Sequence, residues 1–160
     1  MTIIVGGALP DVALFLAQPE GPSAISTGSL FADKKAVLFA LPGAFTPTCS
    51  ARHLPGFVDK AAAFKEKSVD FVACLSVNDA FVMMAWSAKH DATNSITMIA
   101  DGNGEFVRAL GLERDMAERG MGVRSQRFAM VVEDGVVQNL FIDSPGGYGV
   151  SSAENVLIYV

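Results

Sequence analysis

The segment Thr46-Pro47-Thr48-Cys49 follows an apolar run, Ala36–Leu41, and a Pro42-Gly43 turn. Thr46 is a good helix N-cap and Pro47 suits the first helical position, so the spacing predicts Cys49 at the third residue of a helix. In a capping box that third position carries an acidic side chain; here it carries a thiol. The unpaired amides and partial positive charge of a helix start favour thiolate over thiol. Such surroundings can bring a cysteine pKa from about 8.5 into the range of about 3.5–7.5. The chemistry this predicts for Cys49 is nucleophilic attack near neutral pH. Cysteine counting alone favours a small buried apolar residue, and that is the reading for Cys74, inside Phe71-Val72-Ala73-Cys74-Leu75.

Other candidates are weaker. His53 lies four residues after Cys49, on the same helical ridge. A Cys–His pair suggests a thiol hydrolase, but no third orienting residue is evident, so His53 reads as structural, paired with an interface group. Two cysteines and two histidines (His53, His90) show no zinc-finger spacing. No Cys-x-x-Cys motif exists: Thr46 stands three residues before Cys49 and Arg52 three after, which disfavours a thiol–disulfide oxidoreductase. Arg124 and Arg127 both offer a cation to the site, and spacing does not choose between them; Thr46 itself also reads as a plain helix cap.

The elements that must hold these residues alternate between strand and helix. Gly6–Gly28 reads as Gly- and Pro-rich loops around a short strand, Val12–Leu16. Ala36–Leu41, Val69–Val77 and Ile96–Ala100 read as buried strands. The helix after Thr46 runs to about Lys67, with Pro55-Gly56 expected to kink or break it. Asn78 caps a helix to about His90, and Glu105–Leu110 forms a short one. Glu113–Ser125 has no clear conformation. Arg127–Val132 and Val136–Ile142 flank Asp134-Gly135, a strong hairpin signal. After the glycine-rich loop Pro145–Gly149, Ala153–Tyr159 reads as a last helix. The pattern implies an α/β fold with a central mixed β-sheet flanked by helices.

Length and composition bound the function. A chain of 160 residues fits one domain, 1–160. With 51% hydrophobic and 18% charged residues it is a folded protein, and the low charge fraction hints at a subunit interface. A net charge of −5 argues against nucleic-acid binding. Two cysteines are too few for a disulfide framework. The first Lys or Arg is Lys34, and the apolar runs are too short to span a bilayer, so the expectation is a cytoplasmic protein with no membrane partner.

The run Pro42-Gly43-Ala44-Phe45-Thr46-Pro47-Thr48-Cys49-Ser50 resembles the peroxiredoxin signature Pro-x-x-x-Thr-x-x-Cys. Arg52-His53-Leu54-Pro55-Gly56-Phe57, Ser76-Val77-Asn78-Asp79-Ala80-Phe81-Val82-Met83 and Arg127-Phe128-Ala129-Met130-Val131-Val132-Glu133-Asp134-Gly135 resemble the type-5 branch of that family, which includes plant type-II enzymes. The resemblance covers nearly the whole chain. It implies a thioredoxin-like fold and a thiol peroxidase acting on hydrogen peroxide and alkyl hydroperoxides, with no metal, haem or flavin. By resemblance Cys49 becomes a sulfenic acid, Thr46 holds the peroxide, Pro42 shields the thiolate, and Arg124 supplies the guanidinium, with Arg127 opening the next strand. Family members commonly form homodimers. Some carry a resolving cysteine near Gly149-Val150-Ser151-Ser152, where this chain has none, while Cys74 corresponds to a second cysteine of plant type-II members. The expectation is a one-Cys cycle regenerated by glutathione with glutaredoxin. A thioredoxin-reduced Cys49–Cys74 disulfide is the alternative, with Cys74 as the resolving residue, and a peroxide sensor of little turnover is a further one.

Overall fold

The computed structural model describes residues 1–160. Seven strands form one mixed sheet in the order β2-β1-β5-β4-β3-β8-β9. They are β1 (Ala13–Gln18), β2 (Gly21–Ser26), β3 (Lys35–Ala40), β4 (Phe71–Ser76), β5 (Thr97–Ala100), β8 (Phe128–Glu133) and β9 (Val136–Ile142); β6 (Glu113–Asp115) and β7 (Val123–Ser125) form a separate two-stranded hairpin. The central strands β3, β4 and β5 run parallel, and β8 pairs with β3 antiparallel. Five helices join them: α1 (Thr27–Phe31), α2 (Leu54–Glu66), α3 (Ala80–Lys89), α4 (Glu105–Leu110) and α5 (Ala153–Leu157).

The apolar runs in β3 and β4 are continuous because both faces of these strands are covered. Val37, Phe39 and Leu41 pack on one side with Val72, Cys74, Cys49, Phe57 and Trp86, while Ala36, Leu38 and Ala40 pack on the other with Ala73, Leu75, Phe31 and Phe106. Helix α2 is pinned to the sheet by stacked rings, Phe39 on Phe57 at 4.0 Å between centroids. No helix is long and apolar enough to cross a membrane.

Two expectations need correcting, and one unassigned segment gains a structure. The N-terminal region contains two strands: Gly21–Ser26 pairs with β1 through the full run Ala13↔Ser26 to Gln18↔Gly21. The segment Glu113–Ser125 is the β6–β7 hairpin with a short 3-10 turn, Ala117–Arg119, at its tip. Asn78 does not cap α3; Asp79 does, its carboxylate accepting from the Val82 amide at 2.9 Å. The Asp134-Gly135 hairpin has φ of 47° and 74°, the left-handed pair a two-residue primed turn requires.

Candidate active site

The parallel strand β3 ends at Ala40, and the antiparallel β8 begins at Phe128 beside it, so the loops after β3 and before β8 meet at one end of the sheet. Cys49 lies in the first of these loops. The helix opens at Pro47, and its first full bond runs from the Ser50 amide to the Thr46 carbonyl at 2.9 Å. Residues Cys49–His53 then form a π-turn, with the Leu54 amide donating to the Cys49 carbonyl. Its cause is Pro55, which has no amide proton and whose ring would strike the carbonyl one α-turn back. Pro55 therefore interrupts the regular α-helix, as expected, and does so through the π-turn that precedes α2.

The Thr46 hydroxyl does not cap this helix. It donates to the Gly43 carbonyl at 2.7 Å, which commits its only proton and leaves its oxygen free to accept. The Pro42–Thr46 loop is held from outside by Asn78, whose Oδ1 accepts from the Ala44 amide at 2.9 Å and from the Ser76 hydroxyl at 2.6 Å. Phe45, next to Thr46, sits at φ 64°, a conformation costly for an aromatic residue unless its surroundings impose it. Ser50, one residue past Cys49, accepts from the Trp86 indole at 2.9 Å and ties the turn to α3.

Cys49 is fully buried, and its sulfur accepts from Arg127 Nη2 at 3.3 Å. The same guanidinium donates through Nη1 to His53 Nδ1 at 2.9 Å. Arg127 thus bridges Cys49 and His53, the two residues of one helical ridge. Here the expectation from resemblance is corrected. Arg124 does not touch the sulfur. Its Nη1 donates to the Pro42 carbonyl at 3.3 Å and its Nε to the Met121 carbonyl at 2.9 Å. It lies so close over Gly43 that a Cβ there would meet Nη1 at 2.7 Å, which explains a glycine at that point. Arg124 braces the loop that carries Pro42 and Thr46; Arg127 faces the thiol. Pro42 is buried beside both arginines.

His53 is fully buried inside the site, its ring nitrogens facing Arg127 and Ser151. Its Nε2 lies 3.1 Å from the Ser151 carbonyl oxygen. Burial, first, and the neighbouring Arg127 charge, second, push its pKa from 6.5 down to about 3, against a smaller opposing effect of the Ser151 hydrogen bond. The imidazole is neutral across the physiological range. An unfolded chain protonates it near pH 6.5 and the folded protein only near 3. Between those values the unfolded state holds more protons, so stability is complete above the window and falls as pH drops through it, by about 1 kcal/mol per pH unit at the steepest. Urea midpoints of the wild type and His53→Gln, each measured at neutral and mildly acidic pH, should show the larger acid loss in the wild type. Equal losses would contradict the assignment.

Cys74, on β4 opposite Phe39, is fully buried and free, as Cys49 is. Burial raises its pKa well above the usual thiol value, and the nearby Cys49 adds to the rise. It is therefore an un-ionised thiol in the core. No cluster of three or more His, Cys, Asp or Glu side chains is arranged to hold a metal ion.

A hydrogen-bonded thiol at a helix start, a guanidinium on its sulfur and an accepting hydroxyl nearby together suit displacement at an electrophilic atom whose leaving group gains negative charge. Comparison with known proteins places that chemistry. The family model described as Redoxin matches residues 4–157. The chain is 46% identical to the chloroplastic peroxiredoxin-2E of Arabidopsis thaliana, over 98% of its own length and 68% of the relative's. Among solved structures, reduced Prx3 from Vibrio vulnificus in complex with hydrogen peroxide superposes with a TM-score of 0.94 at 48% identity, covering 99% of both chains. The antioxidant protein of Plasmodium falciparum, a 1-Cys peroxiredoxin, does so with a TM-score of 0.92 at 30% identity, covering 98% of both.

Proposed function

This chain belongs to the redoxin family, among the peroxiredoxins, which are thiol peroxidases, and we propose that it reduces hydrogen peroxide and alkyl hydroperoxides in a one-Cys cycle through Cys49. The observation that carries the reading is the Arg127 guanidinium 3.3 Å from the Cys49 sulfur. In the first step the thiolate attacks one peroxide oxygen, the O–O bond breaks, and the other oxygen leaves as alkoxide or hydroxide and takes up a proton. Sulfur is oxidised to the sulfenic acid. Arg127 stabilises the negative charge that moves from sulfur to the leaving oxygen. Thr46 accepts a hydrogen bond from the peroxide, and Pro42 keeps water from the thiolate.

For the return step, an external thiol displaces water from the sulfenic acid, and a second thiol reduces the mixed disulfide. Glutathione with glutaredoxin is the proposed reductant. Three features support an external thiol: Cys74 is buried and un-ionised, Ser151 and Ser152 stand in the C-terminal segment where a resolving cysteine would lie, and a relative of the same fold is itself a 1-Cys peroxiredoxin. One observation favours a second reading. Cys74 shares the core cluster of Cys49, which supports a Cys49–Cys74 disulfide reduced by thioredoxin, formed after local opening of the buried strand β4. The exposed side chains Phe45 and Phe81, at the active-site end, support a homodimer. Two free cysteines support a reducing compartment, the cytoplasm.

Mass spectrometry of the intact protein after one equivalent of hydrogen peroxide, quenched with a thiol-blocking reagent, tests this. Gain of one oxygen at Cys49 is the expected result. Loss of two hydrogens without added oxygen would mean the Cys49–Cys74 disulfide. No rapid change would remove the peroxidase reading.

A further inference from the structure

The arginine at the sulfur is itself held from behind. His53 Nδ1 accepts a hydrogen bond from Arg127, which can only donate, so that nitrogen carries no proton. His53 Nε2 lies 3.1 Å from the carbonyl oxygen of Ser151, which can only accept, and 3.3 Å from the Ser151 hydroxyl, whose own proton goes to Asp143, so this nitrogen carries the proton. The contacts on both sides therefore select one tautomer. The Ser151 carbonyl is in turn held by Asp143. The Asp143 carboxylate accepts from the Val150 amide at 3.0 Å, the Ser151 amide at 3.4 Å and the Ser151 hydroxyl. Asp143 follows β9 directly, and its amide donates to the Arg127 carbonyl at 3.0 Å. Backbone and side chain of Asp143 thus tie the loop before α5 to Arg127, the residue that leads into β8. Tyr148, in the same loop, packs edge-on against the His53 ring at 5.3 Å.

We propose that Asp143 and Ser151 are positioning residues for peroxide reduction: they hold the Ser151 carbonyl on His53 Nε2, which keeps Nδ1 open as the acceptor that turns Arg127 toward Cys49. Without that carbonyl in place, the imidazole is free to take the other tautomer. Nδ1 would then present a proton to a guanidinium proton, and Arg127 would swing from the sulfur. The inference rests on the peroxidase reading for its rate effect but not for its tautomer, which can be observed in the resting protein.

The test compares Asp143→Ala, Ser151→Ala and Ser151→Thr with the wild type, after thermal melts confirm folding. In the wild type, NMR of the imidazole nitrogens should show His53 protonated at Nε2 only. In Asp143→Ala the two nitrogens should shift toward averaged values, and the second-order rate of Cys49 oxidation by hydrogen peroxide should fall about ten- to a hundredfold, the usual scale for residues acting through another. Ser151→Ala should show a smaller loss in the same direction, and Ser151→Thr, which keeps the hydroxyl, should restore it. An Asp143→Ala protein with the wild-type tautomer would overturn the proposal, as would equal losses in Ser151→Ala and Ser151→Thr. If Asp143→Ala does not fold, the two Ser151 variants decide alone. Failure of the wild type to react with peroxide would instead refute the peroxidase function and leave the tautomer result standing.

Discussion

Arg127→Ala should slow oxidation of Cys49 by hydrogen peroxide by about a hundred- to a thousandfold, the cost of removing one preorganised donor from a developing oxyanion. Arg124→Ala should slow it only a few-fold. The contrast follows from what each side chain touches. Arg127 reaches the sulfur with one nitrogen and His53 with the other. Arg124 spends its donors on the carbonyls of Pro42 and Met121 and acts on the loop alone. Lysine at 127 should recover little, because one ammonium cannot reproduce a planar fork set between two acceptors. Stopped-flow rates with a competing peroxidase would measure all three variants. A larger defect in Arg124→Ala than in Arg127→Ala would reverse the assignment.

The choice between these arginines is also where reading the sequence fell short. The alternation of β8 held the answer. Ala129 and Val131 lie on the sheet face that carries Cys49, while Phe128 and Met130 lie on the other. Two residues before Ala129, the same period of two puts Arg127 on the Cys49 face. Arg124 lies beyond the break at Gln126, on the separate β6–β7 hairpin, where that period no longer applies. By contrast β3, β4, α4 and the β8–β9 hairpin were legible because burial on both faces, cap residues and a two-residue turn leave strong local marks. Strand β2 was not: Gly21-Pro22-Ser23 are poor strand formers, and only pairing with β1 makes them one. The link from Asp143 to His53 was hidden for a different reason. It joins residues 143 and 151 to residue 53 across the whole fold, and no spacing rule reaches so far.

Thr46 was legible as a residue but not in its geometry. As a helix cap its hydroxyl oxygen would be occupied by a backbone amide, and the site would gain little from it. In the structure the hydroxyl proton is committed to the Gly43 carbonyl, and the oxygen is left as an acceptor at the start of the helix that carries Cys49, whose sulfur is met by Arg127, purely a donor. A hydroperoxide carries one proton and two oxygens. An acceptor on one side and a donor on the other can orient it, so that the protonated oxygen meets the sulfur and the leaving oxygen meets the guanidinium. Thr46→Val keeps the shape and removes the acceptor. It should lower the peroxide rate by about a hundredfold, the scale expected for one directional hydrogen bond realised in the transition state. Thr46→Ser keeps the hydroxyl and should stay within about tenfold of the wild type, the remaining loss coming from the missing methyl that fixes its rotamer. Alkylation of Cys49 by iodoacetamide, which does not need the peroxide oriented, should change far less in either variant. A Thr46→Val protein with undiminished peroxide reactivity would mean that the hydroxyl only braces the Gly43 carbonyl, and that orientation of the peroxide rests on Arg127 and the backbone.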